Sequence, residues 1–373
     1  MLIYDMKNAI VLYPVLDNLE ESFIKNKLLE ICNLTEAIFL KIIHKEYFFL
    51  KKPDPNALIR KGRIEYFQSL FERKSFKGDD KILIFGIDIS PVQQRNLEKI
   101  YKVKILDKTS LILEIFGERA LSREGRIQVE LAHLNWQKSR LVRSWTHLER
   151  QRGGFGFLGG PGESQIELDK RMINKRIKQL KSLILKIKKT RSIQYKNRQK
   201  KRIPVVSLLG YTNAGKSTLF NYLTKLNVSA KNKLFETLDT KISYFYLPRT
   251  KKAYINDTVG FISDLPTLLV QAFRSTLDEV TKADLLIHVR DISANNIEDQ
   301  KNDVLEVLRQ LNIFPNSAEG PVMLEVFNKV DVADAEIRKG LFKKKNSFLI
   351  SAKTGEGLDV FKKEMDEILY SLF

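Results

Sequence analysis

Gly210-Tyr211-Thr212-Asn213-Ala214-Gly215-Lys216-Ser217 sets two glycines, a lysine and a hydroxyl at the spacing G-x-x-x-x-G-K-[ST]. Glycines let a backbone wrap a phosphate chain with its N–H groups, at the positive end of the helix that follows. Lys216 would bridge the outer phosphates, and Ser217 would ligate Mg²⁺. A chance glycine turn is the bland alternative. Here the apolar run Val205–Leu209 precedes the loop and the helical pattern Thr218–Leu223 follows it, as the chemistry requires.

Three further segments fall in the order of a GTP-binding domain. Asp257-Thr258-Val259-Gly260, after Ala253-Tyr254-Ile255, offers a carboxylate that reaches Mg²⁺ through water and a Gly260 N–H for the terminal phosphate. Asn328-Lys329-Val330-Asp331 follows Val322–Phe327 and selects the base. The Asp331 carboxylate can accept two hydrogen bonds from guanine's ring N–H and amino group, a pair that adenine lacks. The Lys329 stem can lie along the base. Ser351-Ala352-Lys353, after Ser347–Ile350, would place a backbone N–H on the guanine carbonyl. Each tetrapeptide alone is an ordinary polar loop; four in order select GTP.

These loops need strands and helices to hold them. Residues 203–373 alternate strand and helix, with strands near 203–209, 242–247, 252–256, 284–290, 322–327 and 347–351. The expectation is a doubly wound α/β domain with ligand loops at the carboxyl ends of its strands. Residues 1–112 predict a smaller α/β domain, with Ala9–Tyr13, Ile82–Phe85 and Val103–Leu106 as strands and a helix over 90–100 that Ser90 and Pro91 begin. That domain has no phosphate loop, and its chemistry is not legible.

Residues 113–202 are different. Ile127, Leu131, Leu134, Lys138, Leu141, Trp145 and Leu148 alternate at spacings of 4 and 3, and Ile166, Ile173, Ile177, Leu180, Ile184 and Ile187 nearly do the same. Between these helical seams lies Gly153-Gly154-Phe155-Gly156-Phe157-Leu158-Gly159-Gly160-Pro161-Gly162, through which no helix runs. Two antiparallel helices with a glycine-rich tip at 153–162 are the economical arrangement. The tip is either a plain connector or a recognition loop whose aromatics stack on bases.

The chain has 373 residues, 43% hydrophobic, which predicts two or three domains with ample cores. No run of about 18 apolar residues occurs, and Met1–Lys7 lacks a signal-peptide layout, so a cytoplasmic protein is expected. One cysteine, Cys32, excludes an internal disulfide, and His44, His133, His147 and His288 are too scattered to bind zinc with it. The net charge is +19, and Lys170–Arg202 contributes fifteen Lys or Arg with no acid. With Arg140, Arg143, Arg150 and Arg152 nearby, a polyanionic RNA partner is favoured over a merely solvated helix face. The apolar seams are too narrow for membrane insertion, and a monomer is expected.

Gly210–Thr218, Phe235-Glu236-Thr237-Leu238-Asp239, Asp257-Thr258-Val259-Gly260-Phe261, Gly-Gly-Pro-Gly-Glu at 159–163 and Ser90-Pro91-Val92-Gln93-Gln94-Arg95-Asn96-Leu97 closely resemble the HflX family of GTPases, over almost the whole chain. The resemblance implies a Mg²⁺-dependent GTP hydrolase that associates with the large ribosomal subunit and splits or rescues stalled ribosomes under stress. It also implies that the tip reaches toward the peptidyl-transferase region while the basic helices lie on ribosomal RNA. Thr237 takes the family's Mg²⁺-ligand position in the first switch, with Thr240 as an alternative. The family's switch continues Pro-Thr-Thr-Arg, whereas Thr240-Lys241 stand here. The chain stops at Phe373, so an extra C-terminal domain found in some relatives is not expected.

Lys216, Thr237 and Gly260 are the residues expected to act on the phosphates, with Ser217 and Thr237 on Mg²⁺. Phe261 stands where Ras-like GTPases have a water-positioning Gln, which predicts slow intrinsic turnover; the plainer reading is a residue that packs the second switch, and both can hold. Asn213 could hold K⁺ near the phosphates. Two alternatives share part of the pattern: a large-subunit assembly GTPase, and an RNA-remodelling ATPase working through the N-terminal domain, although residues 1–200 offer no second phosphate loop.

Overall fold

A computed structural model describes residues 7–17, 19–72, 81–144, 165–200, 202–226, 234, 235, 238, 241–272, 277, 279–294, 296–318, 320–333 and 347–372. The chain forms two compact units, residues 1–118 with 129–181 and residues 119–128 with 182–373. Among the described residues no helix is long and apolar enough to cross a membrane. The glycine-rich tip, Trp145 and Leu148 lie outside the described residues.

The first unit holds a four-stranded parallel sheet of β1 (Asn8–Val15), β2 (Lys41–Phe49), β3 (Lys81–Phe85) and β4 (Lys104–Leu106), in the order β2-β1-β3-β4. Helices α1 (Glu21–Glu36), α2 (Lys61–Glu72), α3 (Pro91–Tyr101) and α4 (Lys108–Arg119) connect or follow these strands. Its core gathers Ile10, Leu12, Phe48, Phe67, Leu83 and Phe85. β2 adds a strand to the three expected. It lies at the sheet edge and buries only Phe48, so Lys41, Lys45 and Glu46 break up its apolar pattern.

α3 begins where Ser90 and Pro91 predict. The Ser90 hydroxyl accepts from the Gln93 N–H at 3.2 Å, and Gln93 Oε1 accepts from the Ser90 N–H at 2.8 Å, a complete capping box. The other polar groups of that stretch also serve the fold. Gln93 Nε2 donates to the Asp54 carbonyl, Gln94 Nε2 to the Ile105 carbonyl and Asn96 Nδ2 to the Asn56 carbonyl. Arg140 reaches Gln94 and the buried Asp107 and stacks 4.3 Å from the Trp136 ring.

Two long helices, α5 (Arg123–Ser144) and α6 (Gln165–Lys200), follow the seams. Ile177 and Leu180 are buried on α6, whereas Met172, Leu185 and Ile193, which lie off the seam, are exposed. Arg176 forms two hydrogen bonds with Glu130, at 2.6 and 3.0 Å, and Arg191 lies 2.8 Å from Glu124.

The second unit is built on a six-stranded sheet in the order β10-β9-β8-β5-β7-β6. Its strands are β5 (Val205–Leu209), β6 (Lys241–Leu247), β7 (Lys251–Asp257), β8 (Leu285–Asp291), β9 (Val322–Asn328) and β10 (Ser347–Leu349). All pairs are parallel except β6 with β7. Helices α7 (Lys216–Thr224), α8 (Thr267–Ala272), α9 (Ile297–Gln310) and α10 (Leu358–Leu372) lie between or after these strands. Alternation along β8 sends Leu285, Ile287 and Val289 into a core with Phe220, Phe361 and Met365, and sends Leu286 into another with Val304, Leu308 and Leu311. Both faces are therefore covered, as in a doubly wound α/β domain, and the loops at the carboxyl ends of β5, β7, β8 and β9 share one rim.

Candidate functional site

β5 is buried along its whole length and delivers the chain to Gly210 at that rim. Gly210 has φ +146°, and a Cβ there would stand 2.1 Å from the Val289 carbonyl oxygen, so only glycine fits. Gly215, at φ +93°, is the N-cap of α7, and its added Cβ would meet Asn328 Nδ2 at 2.1 Å. Asn213 has φ +62° and is exposed, whereas Tyr211, Thr212 and Ala214 are buried.

Lys216 lies almost wholly buried at the start of α7. Its Nζ donates to the carbonyls of Gly210, at 3.0 Å, and Tyr211, at 2.7 Å. Burial pushes its pKa down to about 8, against which the carboxylate of Asp257 acts. Next in sequence, the Ser217 hydroxyl donates to Asp257 Oδ2 at 2.7 Å. Hydroxyl and carboxylate thus converge beside the loop as hard oxygen donors, the chemistry that Mg²⁺ takes in company with phosphate and water. No cluster of three or more His, Cys, Asp or Glu able to cage a metal occurs among the described residues.

The segment after β7 is bound to the loop through its backbone. Thr212 N–H donates to the Phe261 carbonyl at 2.7 Å, and Phe261 N–H donates to the Gly210 carbonyl at 3.1 Å. Ser263 N–H donates to the Tyr211 hydroxyl at 2.6 Å, and the Thr258 hydroxyl donates to the Leu208 carbonyl at 2.6 Å. Gly260 sits so near that an added Cβ would fall 2.9 Å from the Thr212 Cα and 3.1 Å from Lys216 Nζ. Val259 is buried. The Phe261 ring packs with Leu209, Val270, Leu277 and Leu286, which is the packing alternative for this position.

Asn328, Lys329, Val330 and Asp331 stand at the end of β9. Asn328 is buried; its Nδ2 donates to the Ala214 carbonyl at 2.9 Å, and its Oδ1 accepts from the Ala352 N–H at 2.8 Å. The exposed Asp331 accepts from the Ser351 hydroxyl at 2.6 Å. Lys329, at φ +68°, ion-pairs with Asp291 Oδ2 at 2.6 Å. Val330 is buried and Lys353 is exposed. Asp291, the last residue of β8, carries no local sequence signal that ties it to Lys329. Ser351 and Ala352 are buried.

Phe235 and Leu238 are buried, with Phe235 at φ +53°. Glu236, Thr237, Asp239 and Thr240 lie outside the described residues. Behind the loop, on β8, His288 is buried, and desolvation with the nearby Arg290 and Lys301 charges drives its pKa down to about 3. It stays neutral at ordinary pH.

A buried glycine-and-lysine loop at the first strand end, an Asp-x-x-Gly turn hydrogen-bonded to it and an Asn-Lys-x-Asp turn clamped to it define a phosphate-loop GTPase domain. Three family profiles match between residues 25 and 329: GTP-binding GTPase N-terminal (residues 25–117), GTP-binding GTPase middle region (119–198) and 50S ribosome-binding GTPase (205–329). The chain belongs to the HflX family of GTPases. It is 42% identical to GTPase HflX of Magnetococcus marinus over 342 residues, 90% of this chain and 76% of that one. GTPase HflX of Escherichia coli is 42% identical over 280 residues, 74% of this chain and 64% of its own. GTPase HflX of Chlamydia pneumoniae is 36% identical over 374 residues, covering 98% and 77%. Among solved structures, the crystal structure of SsGBP with GDP matches with a TM-score of 0.52 over 98% of this chain and 99% of that one, at 23% identity, a likeness of fold.

Proposed function

We propose that this chain is a Mg²⁺-dependent GTP switch of the large ribosomal subunit. The observation that carries it is the Asn328 clamp: one amide ties the phosphate loop at Ala214 to the Ser351–Lys353 loop at Ala352, so the phosphate and base ends of one nucleotide are set by a single side chain. Lys216 and the N–H groups of the loop would hold the phosphates. Gly260 would meet the terminal phosphate, Asp331 and Ala352 the guanine, and Lys329 the base face. Ser217 and Thr237 are the assigned Mg²⁺ ligands, and the ion would neutralise phosphate oxygens when bound. Asn213 is the assigned position for K⁺; hydrolysis rates equal in K⁺ and Na⁺ would count against it.

The ribosomal partner rests on two supports. One matching family is described as 50S ribosome-binding GTPases, and α6 carries the dense run of Lys and Arg. Within 113–202, the Arg176–Glu130 and Arg191–Glu124 pairs support an antiparallel hairpin with 153–162 at its tip; 1–112 and 203–373 are the flanking domains. GTP would order the segments around Thr237 and Gly260, and hydrolysis would release them. The protein would act as a cytoplasmic monomer, binding to split or rescue stalled ribosomes, with hydrolysis timing its departure. Sedimentation with purified large subunits, in GTP analogue or GDP and across a salt series, tests this. Analogue-dependent binding that weakens as salt rises is the expected result; binding indifferent to nucleotide sinks the switch.

A further inference from the structure

The outer edge of the second sheet exposes an aromatic and basic face. Along β6, Ile242, Tyr244 and Tyr246 are 40%, 47% and 72% exposed, while the alternate residues Phe245 and Leu247 are buried in the core. Register places Tyr254 of β7 opposite Tyr244 and Lys252 opposite Tyr246, so all four share one face. The Tyr244 and Tyr246 rings meet edge to face with centroids 5.7 Å apart. Lys252 Nζ lies 4.3 Å from the Tyr244 ring and 5.9 Å from that of Tyr254.

Lys252 is the basic side chain of this face. By register Lys251 pairs with Leu247 and Lys241 with Asp257, on the other side of the hairpin, whose turn carries Arg249. Cross-strand pairing alone gives such a ladder little stability, and threonine or valine suits a strand without presenting large exposed rings. An exposed apolar edge also invites self-association, which argues for an occupant. Three rings with Lys252 beside them, all outside the nucleotide loops, match what an unpaired nucleic-acid strand requires. Bases stack on aromatics whatever their sequence, and lysines meet the backbone phosphates.

We propose that Tyr244, Tyr246 and Tyr254, with Lys252, form a stacking platform for single-stranded RNA. The platform goes beyond the large-subunit reading. β6 and β7 together lead from the segment that holds Thr237 to Asp257, so RNA held there bears on the strands between the two phosphate-sensing segments.

A 4-thiouridine oligouridylate of roughly 12 nucleotides, cross-linked to the full chain and mapped by mass spectrometry, reads the site directly. Cross-links within residues 241–254 are expected. In fluorescence anisotropy, Tyr246→Ala should weaken oligouridylate binding at least about fivefold, whereas Tyr246→Phe should keep it, and basal GTP hydrolysis should not change. Tyr246→Thr removes the ring while keeping strand propensity, in case the alanine variant fails to fold. A map with no cross-link in 241–254, or unchanged affinity in the Ala and Thr variants, overturns the platform. Loss of an acidic protein partner with RNA affinity intact would assign the face to protein and equally overturn it. Large-subunit sedimentation of the wild type reports separately on the switch.

Discussion

Asn328 Nδ2 lies 2.9 Å from the Ala214 carbonyl, a hydrogen bond that spans 114 residues of sequence and fastens β9 to the phosphate loop. The same amide's oxygen holds the Ala352 N–H at 2.8 Å. Asn328→Ala leaves a buried carbonyl and a buried N–H without this partner, at a cost of about 2–6 kcal/mol for the two together. The expected outcome is a lower Tm together with weaker binding of both GTP and GDP, read by thermal melts and a fluorescent guanine nucleotide. Loss of GTP affinity with GDP affinity intact would contradict a clamp that serves both ends of the nucleotide.

If Lys216 binds the phosphates as proposed, nucleotide binding should depend on pH. Burial holds its pKa at about 8 in the nucleotide-free protein, and an anionic phosphate chain raises it. Binding therefore takes up a proton whenever the solution is more alkaline than this value. GTP affinity should be level below pH 8 and fall with rising pH above it, by at most about tenfold per unit. Titrations at pH 7, 8 and 9 check this, and a flat profile would show that Lys216 keeps its charge without the nucleotide.

Asp331 is the proposed base-selecting residue, and its carboxylate accepts from the Ser351 hydroxyl at 2.6 Å. In Asp331→Asn one acceptor becomes a donor, which opposes guanine's N–H groups and suits the carbonyl of xanthine. GTP affinity should fall about a hundredfold or more while xanthosine triphosphate gains. Unchanged preference in competition binding would break the base assignment.

Phe261 is a core residue rather than a water-holder. Its ring packs with Leu209, Val270, Leu277 and Leu286, and its backbone holds Gly210 and Thr212. Phe261→Ala should cost roughly 3–5 kcal/mol of stability. Phe261→Gln buries an amide in the same pocket and should destabilise the protein without speeding hydrolysis. A faster single-turnover rate in the Gln variant would overturn this assignment.

The loops of the candidate site are legible because glycine, lysine, hydroxyl and carboxylate are each tied to backbone geometry or charge at fixed spacing. Pairings that span the sheet are not. Asp291 meets Lys329 across 38 residues, and nothing in the Asn328 motif shows that its amide ties two distant loops together. Ser90–Leu97 illustrates the reverse. Its distinctive glutamines and asparagine cap a helix and brace neighbouring carbonyls. β2 escapes because an edge strand with Lys41, Lys45 and Glu46 lacks the apolar run of its central neighbours.

Asp366 on α10 gives a last prediction, of stability rather than binding. Its carboxylate accepts from the N–H groups of Arg249 and Thr250, at 2.8 and 2.9 Å, and from the Thr250 hydroxyl at 2.6 Å, which fixes the turn between β6 and β7. Burial alone would push its pKa up; the Thr250 hydroxyl and the two backbone donors outweigh that and hold it below the ordinary carboxylate value of 3.8. Since the folded value lies below the unfolded one, the ionised carboxylate stabilises the fold fully above that ordinary value, and the contribution disappears as pH falls through the lowered one. Asp366→Ala should lose about 1–3 kcal/mol at pH 7. Denaturant melts of wild type and variant should converge as pH drops below the ordinary carboxylate range. A gap that stays constant down to the acid transition would mean that the turn is held by packing and not by the charge on Asp366.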